Sequence, residues 1–272
     1  MKHDAFIRRS LRSFIDALGH ALESEELSKL NGLLQCLDPR VKVIGLPALI
    51  VAAAVSHRLG VIAAIFLFSI GLAMLSQIPL HTLSTRIWLA VLFFSGVIAL
   101  PAVFITPGRT ICRLPLLGWT VTAQGAHSAL FLIGRTETAA TLSSLLVLTT
   151  PWSHVLKALR TLRVPAALVV IFGMTYRYIF LLLATARDLF ESLQSRTVGR
   201  LSGRDRRHMA ASTAGALMGK SFQMSQEVYL AMQSRGFTGE ARVLSDFTMK
   251  WRDYAGLAVL LVLSATALWW GR

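Results

Sequence analysis

The chain has 272 residues, of which 54% are hydrophobic and 15% charged, and its mean hydropathy is +0.58. Soluble domains carry about 25% charged residues, so this composition excludes an ordinary soluble protein and indicates an integral membrane protein. The net charge is +14. Because Lys and Arg collect on cytoplasmic segments beside membrane spans, where anionic lipids attract them, we expect a lipid bilayer as partner and no nucleic acid.

Residues 1–40 are predicted to be cytoplasmic and to form amphipathic helices. Within 5–18, apolar side chains share one helical face and arginines lie off it. Such a helix lies either on lipid headgroups or on the surface of the protein itself. Asp38 and Pro39 suit the cap and first position of the next helix. Lys42, close behind them, is expected at the cytoplasmic edge of the membrane.

Five apolar segments predict about five transmembrane helices, since about 20 apolar residues cross a bilayer. They belong to two predicted membrane parts, 41–150 and 251–272, and cover residues of about 43–57, 59–78, 87–106, 118–150 and 254–270.

Arg135 and Glu137 interrupt the fourth apolar segment, and such charges are costly at membrane depth. They either pair with one another, mark a bend, or lie at the aqueous edge of a long tilted helix. We favour the aqueous edge. Trp269 and Trp270 end the last segment and fit an interfacial aromatic belt.

Residues 151–250 are predicted to contain two long cytoplasmic helices. The first begins near bilayer depth and ends Leu193-Gln194-Ser195-Arg196, and the second ends Met232-Gln233-Ser234-Arg235-Gly236. In both, an arginine lies on a polar helix end just before a chain break. Two matched ends of this kind indicate a docking device and not a catalytic centre.

No arrangement of residues indicates catalysis. The histidines have no metal-ligand spacing, and Gly215–Ser221 resembles a phosphate-binding loop but has one residue too few between its glycines and lies in a helical pattern. We therefore expect a non-catalytic chain with no cofactor and no metal site. A transport role then takes its energy from a partner ATPase, or from an ion gradient if the chain is a secondary transporter.

The chain resembles the transmembrane T component of energy-coupling factor (ECF) importers, and within that family the CbiQ type of cobalt and nickel systems. The resemblance extends from Leu37 to about Arg242. It rests on five motifs: Leu37-Asp38-Pro39-Arg40-Val41-Lys42, Thr149-Thr150-Pro151 with Leu162-Arg163-Val164-Pro165, Met174-Thr175-Tyr176-Arg177-Tyr178, and the two arginine-containing helix ends.

The resemblance implies an L-shaped, all-α membrane protein with cytoplasmic coupling helices. It also implies docking of two ATP-binding subunits at the family's two Ala-Arg-Gly-like tripeptides. Here serines replace both alanines, and only the second tripeptide keeps its glycine. The implied docking residues are Arg196, Arg235, Ser195, Ser234 and Gly236.

A separate substrate-binding membrane subunit, similar to CbiM, is expected to contact the apolar faces around Leu189, Leu193, Val228 and Met232. A small CbiN-like subunit is a further candidate partner. The resemblance implies cobalt or nickel uptake across the bacterial inner (plasma) membrane by a multi-pass subunit that hydrolyses no ATP itself. A T component that serves vitamin-binding subunits and a gradient-driven secondary transporter remain alternatives.

Overall fold

The computed structural model describes residues 32–105, 110–113, 120–196, 202–237 and 249–272. The helix predicted for 5–18 lies outside the described residues. The described chain forms two units, which we call the core unit (32–158 with 249–272) and the hairpin unit (159–196 with 202–237). Helices dominate both, and the prediction of an all-α membrane protein is confirmed.

The elements of the core unit follow the predicted apolar segments closely. They are α1 (Leu33–Cys36), α2 (Pro39–Val55), α3 (Leu59–Leu75), α4 (Leu80–Leu83), a π-helical turn (Ser84–Trp88), α5 (Leu89–Ile105), β1 (Thr110–Arg113), β2 (Thr120–Thr122), α6 (Ala123–Thr149), α7 (Trp152–Thr161) and α10 (Trp251–Gly271). Helix α7 ends in the hairpin unit, which contains α8 (Ala166–Arg196) and α9 (Gly203–Ser234).

Each of the five predicted apolar segments contains one helix: α2, α3, α5, α6 and α10. By length and composition, α6, α10 and Ala166–Leu193 of α8 are long enough to cross a membrane, while α3 and the apolar part of α5 are shorter. The fourth segment departs from prediction at its start. Strand β2 pairs there with β1, and the helix begins at Ala123, where the Thr122 hydroxyl accepts a hydrogen bond from the Gly125 N–H.

Helices α2 and α10 pack side by side in the same direction. The Asp253 carboxylate accepts hydrogen bonds from the backbone N–H groups of Asp38 and Lys250, at 2.9 and 2.8 Å, so it joins the N-terminal ends of both helices. Close approach continues at Gly45, where an added Cβ would lie 2.5 Å from the Leu260 Cδ1. At the other end, the His57 N–H donates to the Gly271 carbonyl.

Helix α6 packs antiparallel to α2, and a basic side chain of each helix donates a hydrogen bond to a carbonyl at the end of the other. The Lys42 amine donates to the Thr149 carbonyl at the end of α6, and the Arg135 guanidinium donates to the Ser56 carbonyl at the end of α2. Helix ends leave carbonyls without intrahelical partners and favour positive charge, so both contacts stabilise the pair. Lys42 is only 2% exposed, so neighbouring helices bury it at the start of α2.

The expectation that Arg135 and Glu137 lie at an aqueous edge is wrong for Glu137, which is 7% exposed. The two side chains do not pair with each other in the described structure either. Arg135 turns to Ser56 and to the ring of Phe131, whose centroid is 4.8 Å from its Cζ. Glu137 instead lines a cavity between α3, α5 and α6. Residues two apart on a helix point in nearly opposite directions, which separates them.

Candidate docking site on the helical hairpin

Helices α8 and α9 form an antiparallel hairpin. Arg196 ends α8 and Gly203 begins α9, and the seven residue steps between them span at most about 25 Å. If α9 ran parallel to α8, the connection would have to span the whole length of α8, which is about 46 Å for its 31 residues. The chain therefore reverses at this connection. The first helix is continuous from bilayer-type sequence into its polar end, as predicted.

A groove of about 570 Å³ lies between the two helices. Its walls come from two stretches, Val170–Leu182 of α8 and Ser221–Met232 of α9. These stretches lie at similar distances from the chain reversal, as an antiparallel pair requires. The lining is apolar and rich in methionine, and includes Met174, Met224 and Met232. Methionine is flexible and polarisable, and it suits a surface that adapts to a partner.

The structure brings together only two of the four predicted apolar contact residues. Val228 and Met232 line the groove. Leu189 and Leu193 are partly buried on α8, between the groove and the chain reversal, and do not line it. Met232 is partly buried in the groove, whereas its neighbour Ala231 is exposed.

The second helix end is a Schellman cap that holds Arg235 at the exposed limit of α9. The Gly236 N–H donates to the Gln233 carbonyl at 2.9 Å, and the Phe237 N–H donates to the Met232 carbonyl at 3.1 Å. This motif needs a left-handed residue directly after the cap, and Gly236 has φ +76°. Glycine adopts that conformation without steric cost, so Gly236 fixes where the helix stops and thereby where Arg235 projects.

The two helix ends share a second feature at the serine before each arginine. The Ser195 hydroxyl donates to the Ser192 carbonyl at 2.8 Å, and the Ser234 hydroxyl donates to the Ala231 carbonyl at 2.9 Å. The hydroxyl hydrogen of each serine is therefore bonded within its own helix. At Arg196 the backbone is still helical, and its side chain lies outside the described residues.

The two arginines lie far apart. Helix α9 is about 48 Å long, from its 32 residues, so Arg235 is that distance from Gly203. Arg196 is at most about 25 Å from Gly203. The two ends are therefore separated by more than about 20 Å. One small site therefore cannot bind both arginines.

The start of α9 is fixed by a capping box that the sequence reasoning missed. The Ser202 hydroxyl accepts from the Asp205 N–H, and the Asp205 carboxylate accepts from the Ser202 N–H, both at 3.2 Å. These bonds hold the pKa of Asp205 below its usual value. The signal was present as Ser202 followed three residues later by an acid. Gly215–Ser221, which resembled a phosphate-binding loop, lies within α9.

The described residues contain no cluster of three or more His, Cys, Asp or Glu side chains able to hold a metal ion. What the hairpin offers a partner is two charged ends and an apolar groove. This chemistry suits macromolecular contact. Together with the long apolar helices of the core unit, it is typical of a multi-pass helical membrane protein.

Comparison with known proteins names the family. Residues 31–244 match the family model of the CbiQ cobalt transport proteins, so the chain belongs to the CbiQ family, the cobalt and nickel type of ECF transporter T component.

Three proteins with similar sequences illustrate this relationship. An uncharacterised protein of Methanocaldococcus jannaschii is 31% identical over 262 residues, covering 94% of this chain and 89% of that protein. The cobalt transport protein CbiQ of Rhodobacter capsulatus is 29% identical over 178 residues, covering 65% of this chain and 72% of that protein. The ECF transporter transmembrane protein EcfT of Brevibacillus brevis is 26% identical over 260 residues, covering 88% of this chain and 94% of that protein.

Proposed function

We propose that this chain is the coupling subunit of an ATP-driven importer, and that it transmits motion from two ATP-binding subunits to a substrate-binding membrane subunit. The observation that carries the proposal is the pair of matched arginine-containing ends on one antiparallel hairpin. Their separation of more than about 20 Å suits two partner subunits better than one. Two copies of the same ATPase would each receive one end.

Arg196 and Arg235 are the proposed docking residues, each inserted into an acidic groove of one ATP-binding subunit. A guanidinium keeps its charge and binds a carboxylate through two parallel hydrogen bonds. Gly236 supports this role because it ends α9 directly after Arg235. Ser195 and Ser234 support it by keeping their hydroxyls within their own helices. ATP hydrolysis belongs to the partners.

Closure of the ATPase dimer on ATP binding would draw its two docking points together. Since α8 and α9 are continuous helices, a change in the spacing of their ends changes the angle at which they cross. The groove lies where they pack, so its shape changes with that angle. We propose that the substrate-binding subunit, a CbiM-like membrane protein, contacts Val228 and Met232 in the groove and Leu189 and Leu193 beyond it.

Cobalt is the proposed substrate, with nickel as the alternative within the same family type. The family description and the relative from Rhodobacter capsulatus both carry the name of a cobalt transport protein, which supports cobalt. Selection of the metal would rest with the substrate-binding subunit, with a CbiN-like subunit as a further member of the complex. The complex would lie in the bacterial inner membrane.

The test is co-purification of the ATP-binding subunits with the chain, together with cobalt uptake by cells. Arg196→Ala/Arg235→Ala is compared with a matched control, Arg204→Ala/Arg207→Ala, which removes two exposed arginines from the first turns of α9. We expect the first pair of changes to abolish ATPase retention and uptake while the control keeps both. Uptake that persists after loss of the ATPase would favour a secondary transporter.

A further inference from the structure

The core unit contains a cavity of about 360 Å³ between α3, the start of α5 and α6. Its walls are apolar side chains, including Ile62, Phe66, Trp88 and Ile133, with Glu137 among them. Leu92 and Leu130 at its rim are 50% and 57% exposed. The cavity therefore opens on the outer surface of the unit, where a neighbouring membrane segment can reach it.

Glu137 is buried in this cavity without a partner. Both carboxylate oxygens are inaccessible and accept no hydrogen bond from the described residues. The nearby polar side chains are engaged elsewhere. The Trp88 indole N–H donates to the Thr141 hydroxyl at 3.1 Å, and the Thr138 hydroxyl donates to the Gly134 carbonyl at 2.7 Å. An ionised carboxylate removed from water without compensation is strongly destabilising, so Glu137 is expected to be neutral in the chain alone and to ionise only when a cation enters the cavity.

The position of Glu137 restricts what that cation can be. It lies near the middle of α6, about 18 Å from Thr149 and about 21 Å from Ala123 by helical rise. A lipid amine would bring its phosphate against the same apolar walls, where a second charge is costly. A divalent metal needs at least four donor groups, whereas this cavity offers one carboxylate on apolar walls. Ionisable residues at membrane depth pair with one another, which leaves a basic side chain of another protein segment.

We propose that this cavity binds one lysine or arginine side chain carried by a transmembrane helix of a partner subunit, with Glu137 as its counter-ion. The cavity has room for one long side chain and not for a helix, so the partner helix would lie across the rim. The exposed apolar residues beside the rim, such as Leu89 and Phe93, suit contact with that helix. The proposal takes from the proposed function only that a membrane partner subunit exists.

The test uses the assembled complex and a photo-reactive residue at Leu130, on the rim. Val147 provides the matched probe position, since it is 65% exposed on the same helix but does not line the cavity. We expect cross-linking from Leu130 to the co-purifying membrane subunit, and at least a tenfold lower yield in Glu137→Gln. Glu191→Gln, an exposed change on α8, should leave the yield unchanged. Products with lipid only, or equal yields with Glu137 and with Gln, would overturn the proposal.

Two further measurements separate pairing from a structural role. Because Gln removes an uncompensated buried carboxyl, Glu137→Gln should unfold at the same or a higher temperature than the wild type when the chain is alone in detergent. A clearly lower unfolding temperature would overturn the proposal. In the complex, Glu137→Lys combined with Lys or Arg→Glu changes in the transmembrane helices of the partner should restore cross-linking for one position. Failure of every such reversal would also overturn it.

The same purification also measures how much of the ATP-binding subunits stays bound to the chain. If Glu137→Gln releases the membrane partner while the ATPase stays bound, the cavity and the arginine ends act independently. Failure of the proposed function would instead appear as unchanged ATPase binding in Arg196→Ala/Arg235→Ala. The two proposals can therefore fail separately.

Discussion

The amine of Lys42 lies 3.0 Å from the carbonyl oxygen of Thr149 and donates a hydrogen bond to it from a fully buried position. This contact joins the start of α2 to the end of α6. Most of the core unit lies between these two points in the sequence. Lys42 has the charge and position of a residue that marks the cytoplasmic end of a membrane span, and it also contributes to the packing of the core unit. The contact also explains how a lysine is buried in a helix that packs against α6 and α10.

Lys42→Met should lower the free energy of unfolding of the solubilised chain by about 1–3 kcal/mol, because the Thr149 carbonyl is left buried and unsatisfied. Methionine keeps the length and much of the packing of the lysine stem. The control is Lys220→Met, at an exposed position of α9, which should change stability little. Equal denaturation curves for the two variants would show that the Lys42 contact contributes nothing.

Gly45→Ala should destabilise the α2–α10 pair, since the new Cβ would lie 2.5 Å from Cδ1 and 2.9 Å from Cβ of Leu260. Overpacking of this kind costs about 1–3 kcal/mol. Gly71→Ala in α3 is the matched control, because nothing lies within 4 Å of its added Cβ. There the better helix propensity of alanine should raise thermal stability. Leu260→Ala added to Gly45→Ala should recover part of the loss, and a further fall instead would argue against the close approach.

Gly236→Ala should weaken ATPase docking through the backbone alone. No atom lies within 4 Å of an added Cβ at Gly236, but its φ is +76°. A residue other than glycine pays about 1–2 kcal/mol in that conformation, so the cap of α9 frays and Arg235 loses its fixed position. Asparagine tolerates the left-handed region better, and Gly236→Asn should retain more ATPase in co-purification. Equal ATPase retention by Gly236→Ala and Gly236→Asn would show that docking does not depend on the conformation of the α9 cap.

Met232→Lys should release the substrate-binding subunit, because it places a charge in the apolar groove of the hairpin. Met218→Lys is the control on the same helix, at a residue that is 57% exposed and does not line the groove. The readout is the amount of substrate-binding subunit retained per ATP-binding subunit. Comparable losses from both changes would mean that the groove is not the contact.

The apolar helices and the arginine ends could be predicted because their signals are local. A run of apolar residues produces a helix whatever it packs against, and a glycine after Ser234-Arg235 ends a helix through its own backbone. The remaining features depend on neighbours that a single sequence does not reveal. Gln77 and Arg163 adopt left-handed conformations with φ 55° and 65°, where glycine would be expected.

The burial of Lys42 and of Glu137 could not be predicted for the same reason. Charge and position along the chain do not show which face of a helix meets a neighbouring helix. Lys42 donates to the end of α6, and Glu137 lies in a cavity formed from three elements. The short β1–β2 pair was missed because its strands are only four and three residues long and β2 lies inside a predicted apolar segment.

Subunit stoichiometry, measured by native mass spectrometry of the nucleotide-free complex, tests most directly whether Arg196 and Arg235 each dock one ATP-binding subunit. Arg196→Ala and Arg235→Ala should each leave one ATP-binding subunit bound, and the double variant none. The Arg204→Ala/Arg207→Ala control should retain both. Two ATP-binding subunits bound to the double variant would contradict the account.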